Sequence, residues 1–212
     1  MYSIAIFGGS FDPIHNGHLQ TSVTIQKHFN FDSYIFLPCK IPTIKPATIA
    51  NSKQRIEMIL RAINCYKQNF KLDLREIERN SPSYMVETLE SFRAESPEAS
   101  ITLIIGFDAF LSLSQWHQWQ KLITLAHLIV INRSEFSKQP IPEIMQEFLK
   151  KYQTENKMEL LNTQAGSVFL FNAGDYEISS TSLREAIKKG ADVKDKLPYS
   201  VYEYIKHQGL YQ

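Results

Sequence analysis

His15 and His18 stand three residues apart, directly after the turn-forming run Gly8-Gly9-Ser10. Residues at i and i+3 share one face of a helix, so two imidazoles placed across a helix start can address one ligand. A neutral imidazole donates a hydrogen bond to a phosphate oxygen, and an imidazolium offsets charge that builds as a phosphate is displaced. Zinc is the other ligand two histidines bring to mind, but helical zinc motifs use a four-residue step with a glutamate, and Cys39 and Cys65 lie far off in sequence. A lone histidine here would read as a packed or solvated residue. The pair beside a Gly-Gly-Ser turn reads as an anion site.

The surrounding pattern supplies the scaffold. Residues 2–7 form a short apolar run stopped by Gly8 and Gly9, which reads as a buried strand feeding a tight turn. Asn16-Gly17 is a second turn signal, and from Gly17 the residues Leu19, Val23, Ile25 and Phe29 turn helical. Strand, glycine loop and helix start together aim backbone N–H groups and the positive end of a helix dipole at a bound anion. A second such place is Ile178-Ser179-Ser180-Thr181-Ser182-Leu183-Arg184. Its hydroxyls suit an ordinary helix cap, and they equally suit an anion that Arg184, one turn further in, could also reach.

The whole chain sets bounds on what these sites serve. Its 212 residues, 43% hydrophobic, can bury one sizeable core, so one domain over 1–212 is expected, with a small helical portion from about residue 178. With 23 basic and 22 acidic residues the net charge is +1, and no overall field draws nucleic acid or an acidic membrane. Two distant cysteines make no disulfide framework. The first apolar run has no basic segment before it and is broken by glycines, so neither a leader nor a membrane span fits, and a cytoplasmic location is expected.

Taken in order, the pattern predicts strands over 34–37, 70–74, 101–105, 127–131 and 168–171. Residues 101–105 are the most strongly apolar, β-branched run, as expected of a central parallel strand. Helices are expected from an Asn51/Gln54 capping box, from Ser81-Pro82, within 111–123, and over 141–152, 180–189 and 198–207. Residues 38–50 read as a long functional loop, 134–139 as a polar connection, and 154–166 as disorder or a hairpin. Strands alternating with helices predict an α/β fold: a Rossmann-like open parallel sheet with helices on both faces. Ligands of such sheets bind beyond the carboxyl ends of the strands, at the switch point beside the first strand.

Gly8-Gly9-Ser10-Phe11-Asp12-Pro13-Ile14-His15-Asn16-Gly17-His18 resembles the signature of the HxGH nucleotidylyltransferases, and within them the bacterial nicotinate-mononucleotide adenylyltransferases. Ser10 stands where members usually carry threonine, which keeps the hydroxyl. Residues 178–184 resemble the ISSTxxR motif that grips the triphosphate of ATP. The resemblance implies ATP contacts from Gly8, Gly9, Ser10, Phe11, His15, His18, Gly106, Asp108, Ile178, Ser179, Ser180, Thr181 and Arg184, with His15 and His18 catalytic. In its GxD motif, Gly106 lets the nucleotide approach the backbone and Asp108 accepts from ribose hydroxyls. A cap on the next helix suits Asp108 just as well.

Mononucleotide contacts are implied for Lys45, Tyr84, Met85, Trp116 and Arg133. Trp116 would stack on the pyridine ring, while Trp119 reads as core. Ile44 stands at the histidine of the family's His-Lys pair, and Tyr84-Met85 at its Tyr-Thr, which leaves the substrate carboxylate to backbone N–H groups. The implied reaction joins ATP and nicotinate mononucleotide to give deamido-NAD and pyrophosphate. Mg²⁺ would ride on ATP with few or no protein ligands, since the sequence offers no carboxylate cluster. A phosphopantetheine adenylyltransferase-like enzyme shares the two end motifs but lacks the stretch from GxD to the tryptophans. A silent nucleotide-binding regulator is the competing class, against which the intact histidines stand. Oligomeric state has no signal in the sequence.

Overall fold

Six strands run β1 (Ser3–Gly9), β2 (Ser33–Pro38), β3 (Phe70–Leu72), β4 (Ser100–Gly106), β5 (His127–Asn132) and β6 (Val168–Asn172). They pair in the order β3-β2-β1-β4-β5-β6, and every pairing is parallel. The order reverses between β1 and β4, which places the switch point at the carboxyl ends of these two strands. The computed structural model describes residues 1–44, 46–66, 68, 70–132, 140–174, 176 and 178–212.

Side-chain alternation splits the core between the two sheet faces. On one face Ala5, Phe7, Tyr34 and Phe36 meet helices α1 (Asn16–Phe29) and α2 (Ser52–Ile63), together with α9 (Ser180–Lys188) and α10 (Tyr199–His207). On the other, Ile4, Ile6, Leu103 and Val130 meet α4 (Met85–Glu95), α5 (Phe107–Leu111), α6 (Trp119–Leu125) and α7 (Glu143–Tyr152). Two short helices, α3 (Arg75–Glu78) and α8 (Glu159–Asn162), complete the described set. The fold class expected from the sequence is therefore the one observed. Among the described residues no helix is long and apolar enough to cross a membrane.

Local departures have local causes. Gly8 and Gly9 continue β1 rather than ending it, pairing with Leu37 and Pro38. The helix expected to open at Ser81-Pro82 begins only at Met85, because the Ser83 hydroxyl accepts from the Lys40 N–H and the Tyr84 N–H turns back to the Pro82 carbonyl. Residues 154–166 are neither disordered nor a hairpin: Leu160 is fully buried, and its carbonyl accepts from Ser100 Oγ. The strand expected over 70–74 stops at Leu72 and gives way to α3. The Asn51/Gln54 capping box forms as expected, at 2.9 and 3.0 Å. The polar connection over 134–139 lies outside the described residues.

His127 starts β5 fully buried, with Nδ1 accepting from the Ser167 N–H at 3.1 Å and Nε2 facing the Thr163 carbonyl at 2.9 Å. Burial lowers its pKa, helped by Arg93 and opposed by the Thr163 bond and Glu159. The folded pKa thus lies below the unfolded value of about 6.5, and the unfolded chain takes up the proton first as pH falls. The stabilisation is complete above the unfolded pKa and is lost progressively on acidification below it, at up to about 1.4 kcal/mol per pH unit. His127→Gln is expected to flatten the fall in unfolding free energy between about pH 7 and 5, measured by denaturant titration at each pH.

Candidate active site

The turn that follows β1 is gripped by its carbonyls. Arg55, fully buried on α2, donates through Nη1 to the Ser10 carbonyl at 2.7 Å. Arg184 Nη1 donates to the Asp12 carbonyl at 2.7 Å, and Ser180 Oγ to the Pro13 carbonyl at 2.9 Å. A peptide unit points its C=O and N–H in opposite directions. Drawing the carbonyls of Ser10 and Pro13 onto the protein therefore turns the N–H groups of Phe11 and Ile14 the other way, as an anion cradle requires. Phe11 takes a left-handed φ of 49° and packs its ring edge against Phe7 and His18.

His15 is the N-cap of α1, and the two histidines cap each other. Nδ1 of His15 accepts from the His18 N–H at 3.4 Å, and Nδ1 of His18 from the His15 N–H at 3.3 Å. These are long bonds, but both fix the same tautomer: in the neutral rings the hydrogen sits on Nε2, making that atom the donor. The rings stack with centroids 3.7 Å apart, so the expectation that they share a face holds. Burial separates them, since His15 is 1% exposed and His18 partly open. Gly17 completes the motif by close approach: a Cβ there would stand 3.0 Å from His15 Nδ1 and 3.4 Å from Tyr176 Cβ.

Helix α9 brings its N-terminus to the same place through the Ser180 and Arg184 bonds. Ser179 is an ordinary N-cap, accepting from the Ser182 N–H at 3.1 Å, so that reading of the hydroxyl run holds for this residue. Thr181 Oγ1 accepts from Arg184 Nη2 at 3.3 Å, and Ile178 is partly buried just ahead of the helix. The two end motifs, more than 160 residues apart in sequence, are thus in direct hydrogen-bonded contact. At the end of β4, Gly106 takes the N-cap of α5, which leaves Asp108 inside the first turn rather than capping it. A Cβ on Gly106 would stand 2.6 Å from Asp108 Oδ1, so glycine is what allows the carboxylate to fold back over the strand end.

The residues expected to hold the mononucleotide gather across Gly8 where they are described. The tip of Met85 reaches the Gly8 backbone, and α4 begins at Met85 with no side-chain cap on its N-terminal amides. Tyr84 packs on His117 with the rings tilted and their centroids 4.5 Å apart, which joins the start of α4 to the segment that carries Trp116. Both tryptophans are partly buried. Trp119 meets the expectation of a core residue in part: it opens α6 and packs against the core on Phe148, 5.5 Å between centroids, with its other side left partly exposed. Ile44 is 47% exposed. Lys45 and Arg133 lie outside the described residues.

Three contributors were not among the site residues expected: Arg55, Tyr211 and, although it stands within the Gly8 to His18 signature, Asp12. The signal that could have found Arg55 is its place in a stripe with Met58, Ile59 and Ala62, all buried on one face of α2. Among the described residues no group of three or more His, Cys, Asp or Glu side chains could hold a metal ion.

Residues 6–186 match the cytidylyltransferase-like family. A Legionella pneumophila (strain Corby) protein named "Probable nicotinate-nucleotide adenylyltransferase" is 58% identical over 212 residues, covering 100% of both chains. One of the same name from Methylococcus capsulatus is 35% identical over 98% of this chain and 99% of its own. The fold superposes on Plasmodium falciparum nicotinic acid mononucleotide adenylyltransferase complexed with NaAD at a TM-score of 0.75 and 21% identity, covering 100% of this chain and 98% of that one. A turn gripped by its carbonyls, paired histidines at the switch point and full-length identity of this order lead to one conclusion: this chain belongs to the cytidylyltransferase-like family, on its nicotinate-nucleotide adenylyltransferase branch.

Proposed function

We propose that the chain is a nicotinate-nucleotide adenylyltransferase: it transfers AMP from ATP to nicotinate mononucleotide, releasing pyrophosphate and forming deamido-NAD in NAD biosynthesis. The observation that carries this reading is the joining of the two end motifs, which sets two helix N-termini and Arg184 around the His15/His18 pair. Full-length relatives with that name support the choice of substrates. So do the Plasmodium structures, one complexed with NaAD and one with APC.

An oxygen of the mononucleotide 5′-phosphate attacks the α-phosphorus of ATP. The bond from that phosphorus to the β-bridging oxygen breaks, and its electron pair leaves with pyrophosphate. No protein nucleophile is required, so the site contributes alignment and charge stabilisation. In our assignment Nε2–H of His18 donates to the transferring phosphate, while His15, stacked behind it, presents its edge to the leaving phosphates. The amides of Gly8, Gly9, Ser10 and Phe11 line the cradle. Ser179, Ser180, Thr181 and Arg184, with Ile178 beside them, hold the triphosphate, and Gly106 and Asp108 meet the ribose. Tyr84, Met85, Trp116, Lys45 and Arg133 serve the mononucleotide. Mg²⁺ would enter with ATP as part of the substrate and would offset charge on its phosphates, with no protein carboxylate assigned to hold it. The chain acts as one domain over 1–212, in the cytoplasm.

A panel of acceptors with ATP tests the reading: nicotinate mononucleotide, nicotinamide mononucleotide and phosphopantetheine, each followed by pyrophosphate release. Turnover fastest with nicotinate mononucleotide is expected. Turnover only with phosphopantetheine moves the chain to another branch, and none with any acceptor makes it a silent binder.

Trp116 provides a finer check. A stacked platform contributes on the order of 1 kcal/mol, so Trp116→Ala is expected to weaken mononucleotide binding roughly five- to tenfold. The wild-type fluorescence quench on adding nicotinate mononucleotide should vanish in Trp116→Phe and survive in Trp119→Phe. The opposite pattern would assign the platform to Trp119.

A further inference from the structure

Asp12 is bonded to more of the chain than a turn residue requires. Its side chain is almost fully buried. Oδ2 accepts from the Ile49 N–H at 2.7 Å, while Oδ1 accepts from the Ala50 N–H at 3.1 Å and from the Tyr211 hydroxyl at 2.6 Å. Its carbonyl accepts from Arg184, as described above. One residue thereby joins the turn before the histidines, the end of the loop after β2, and the stretch after α10. That loop starts against both half-sites: the Cys39 N–H bonds the Gly9 carbonyl, and the Lys40 N–H bonds Ser83 Oγ, one residue before Tyr84. Asp12 is thus a joint between the segments that hold the two substrates, and Tyr211 closes it from outside.

Tyr211 suits a fixed contact. It is buried, and its φ of 66° lies in the left-handed region, which costs a tyrosine about 1 kcal/mol and persists where the surroundings hold it. Burial, then the bond to Asp12 and the charge on Asp12, push the phenol pKa far above its ordinary range against smaller downward pulls from Arg184 and Arg55. The hydroxyl therefore stays a donor throughout the working pH range, and its bond to a carboxylate is of the strong, charge-assisted kind.

We infer that Tyr211 is a positioning residue for nucleotidyl transfer: its hydroxyl orients the Asp12 carboxylate, and Asp12 keeps the histidine turn and the loop after β2 in register. The register sets the attacking phosphate against the α-phosphorus, so this inference rests on the function proposed above. Small misplacements of reacting groups cost turnover far more than binding.

The test is Tyr211→Phe, which keeps the ring and deletes one hydroxyl. Its kcat is expected to fall about tenfold, with both KM values within about threefold and the melting midpoint shifted only a few degrees. Because the hydroxyl acts through Asp12, adding Asp12→Asn should leave the double variant about as slow as the slower single one. Effects that multiply overturn the inference, as does a kcat within about twofold of wild type, whether or not stability falls. A readout independent of turnover is amide hydrogen exchange at Ile49 and Ala50, which should accelerate in Tyr211→Phe. Unchanged exchange overturns the coupling even where the wild type proves to use other substrates, so the two failures are distinguishable.

Discussion

Replacing His18 with alanine lowers kcat by about a hundredfold or more while the fold survives, the scale of losing one preorganised transition-state donor. The size follows from the tautomer. With Nδ1 committed to the His15 N–H, the neutral ring donates only through Nε2, and no reorganisation is needed when charge develops. Survival of the fold follows from its partial exposure: its ring lies at the edge of the Phe7/Phe11 pair, and α1 keeps His15 as its N-cap residue. His18→Asn is expected to retain more activity than alanine, because an amide can still donate. Circular dichroism with steady-state kinetics checks both, and near-normal turnover in a folded His18→Ala would remove the ring from the chemistry.

Arg55→Ala has the largest expected effect on stability, about 3 kcal/mol. The guanidinium is fully buried, and its deletion leaves both a cavity beneath the turn and the Ser10 carbonyl without its donor. Turnover falls as well, because that carbonyl anchors the first peptide of the cradle. Arg55→Lys keeps the charge but not the planar fork, so it should recover part of the stability and little of the rate. Denaturant melts that place alanine within about 0.5 kcal/mol of wild type would show that α2 holds the turn without this residue.

The sheet was legible because most of its strands are short apolar runs ending at Gly, Pro or Asn, and parallel strands between helices leave few topologies. The proposed reaction half of the site was legible for a related reason. In our proposal its work falls on backbone amides at two helix starts, and such starts carry short local signatures, here Gly8 to His18 and Ile178 to Arg184. What could not be read was the bracing. The contact of Tyr211 with Asp12 spans 199 residues, and nothing local to either residue announces it. Arg55 went unread, and its partner, a carbonyl 45 residues away, has no local signal either. The misread start of α4 has the same origin, since Ser83 is occupied by the amide of Lys40 from another loop. Trp119 shows another limit: spacing assigned it to the core, which it does pack against, but could not tell that one side would stay partly exposed.

The central claim is that one site aligns two phosphates across a single phosphorus, with the histidines as donors and no protein group bonded to AMP. The measurement that meets it most directly is the stereochemical course of transfer from ATP made chiral by sulfur at the α-phosphorus. A single in-line displacement predicts inversion of configuration in the dinucleotide product. Retention would mean two successive displacements, with AMP carried on a side chain such as His18, and would contradict the account.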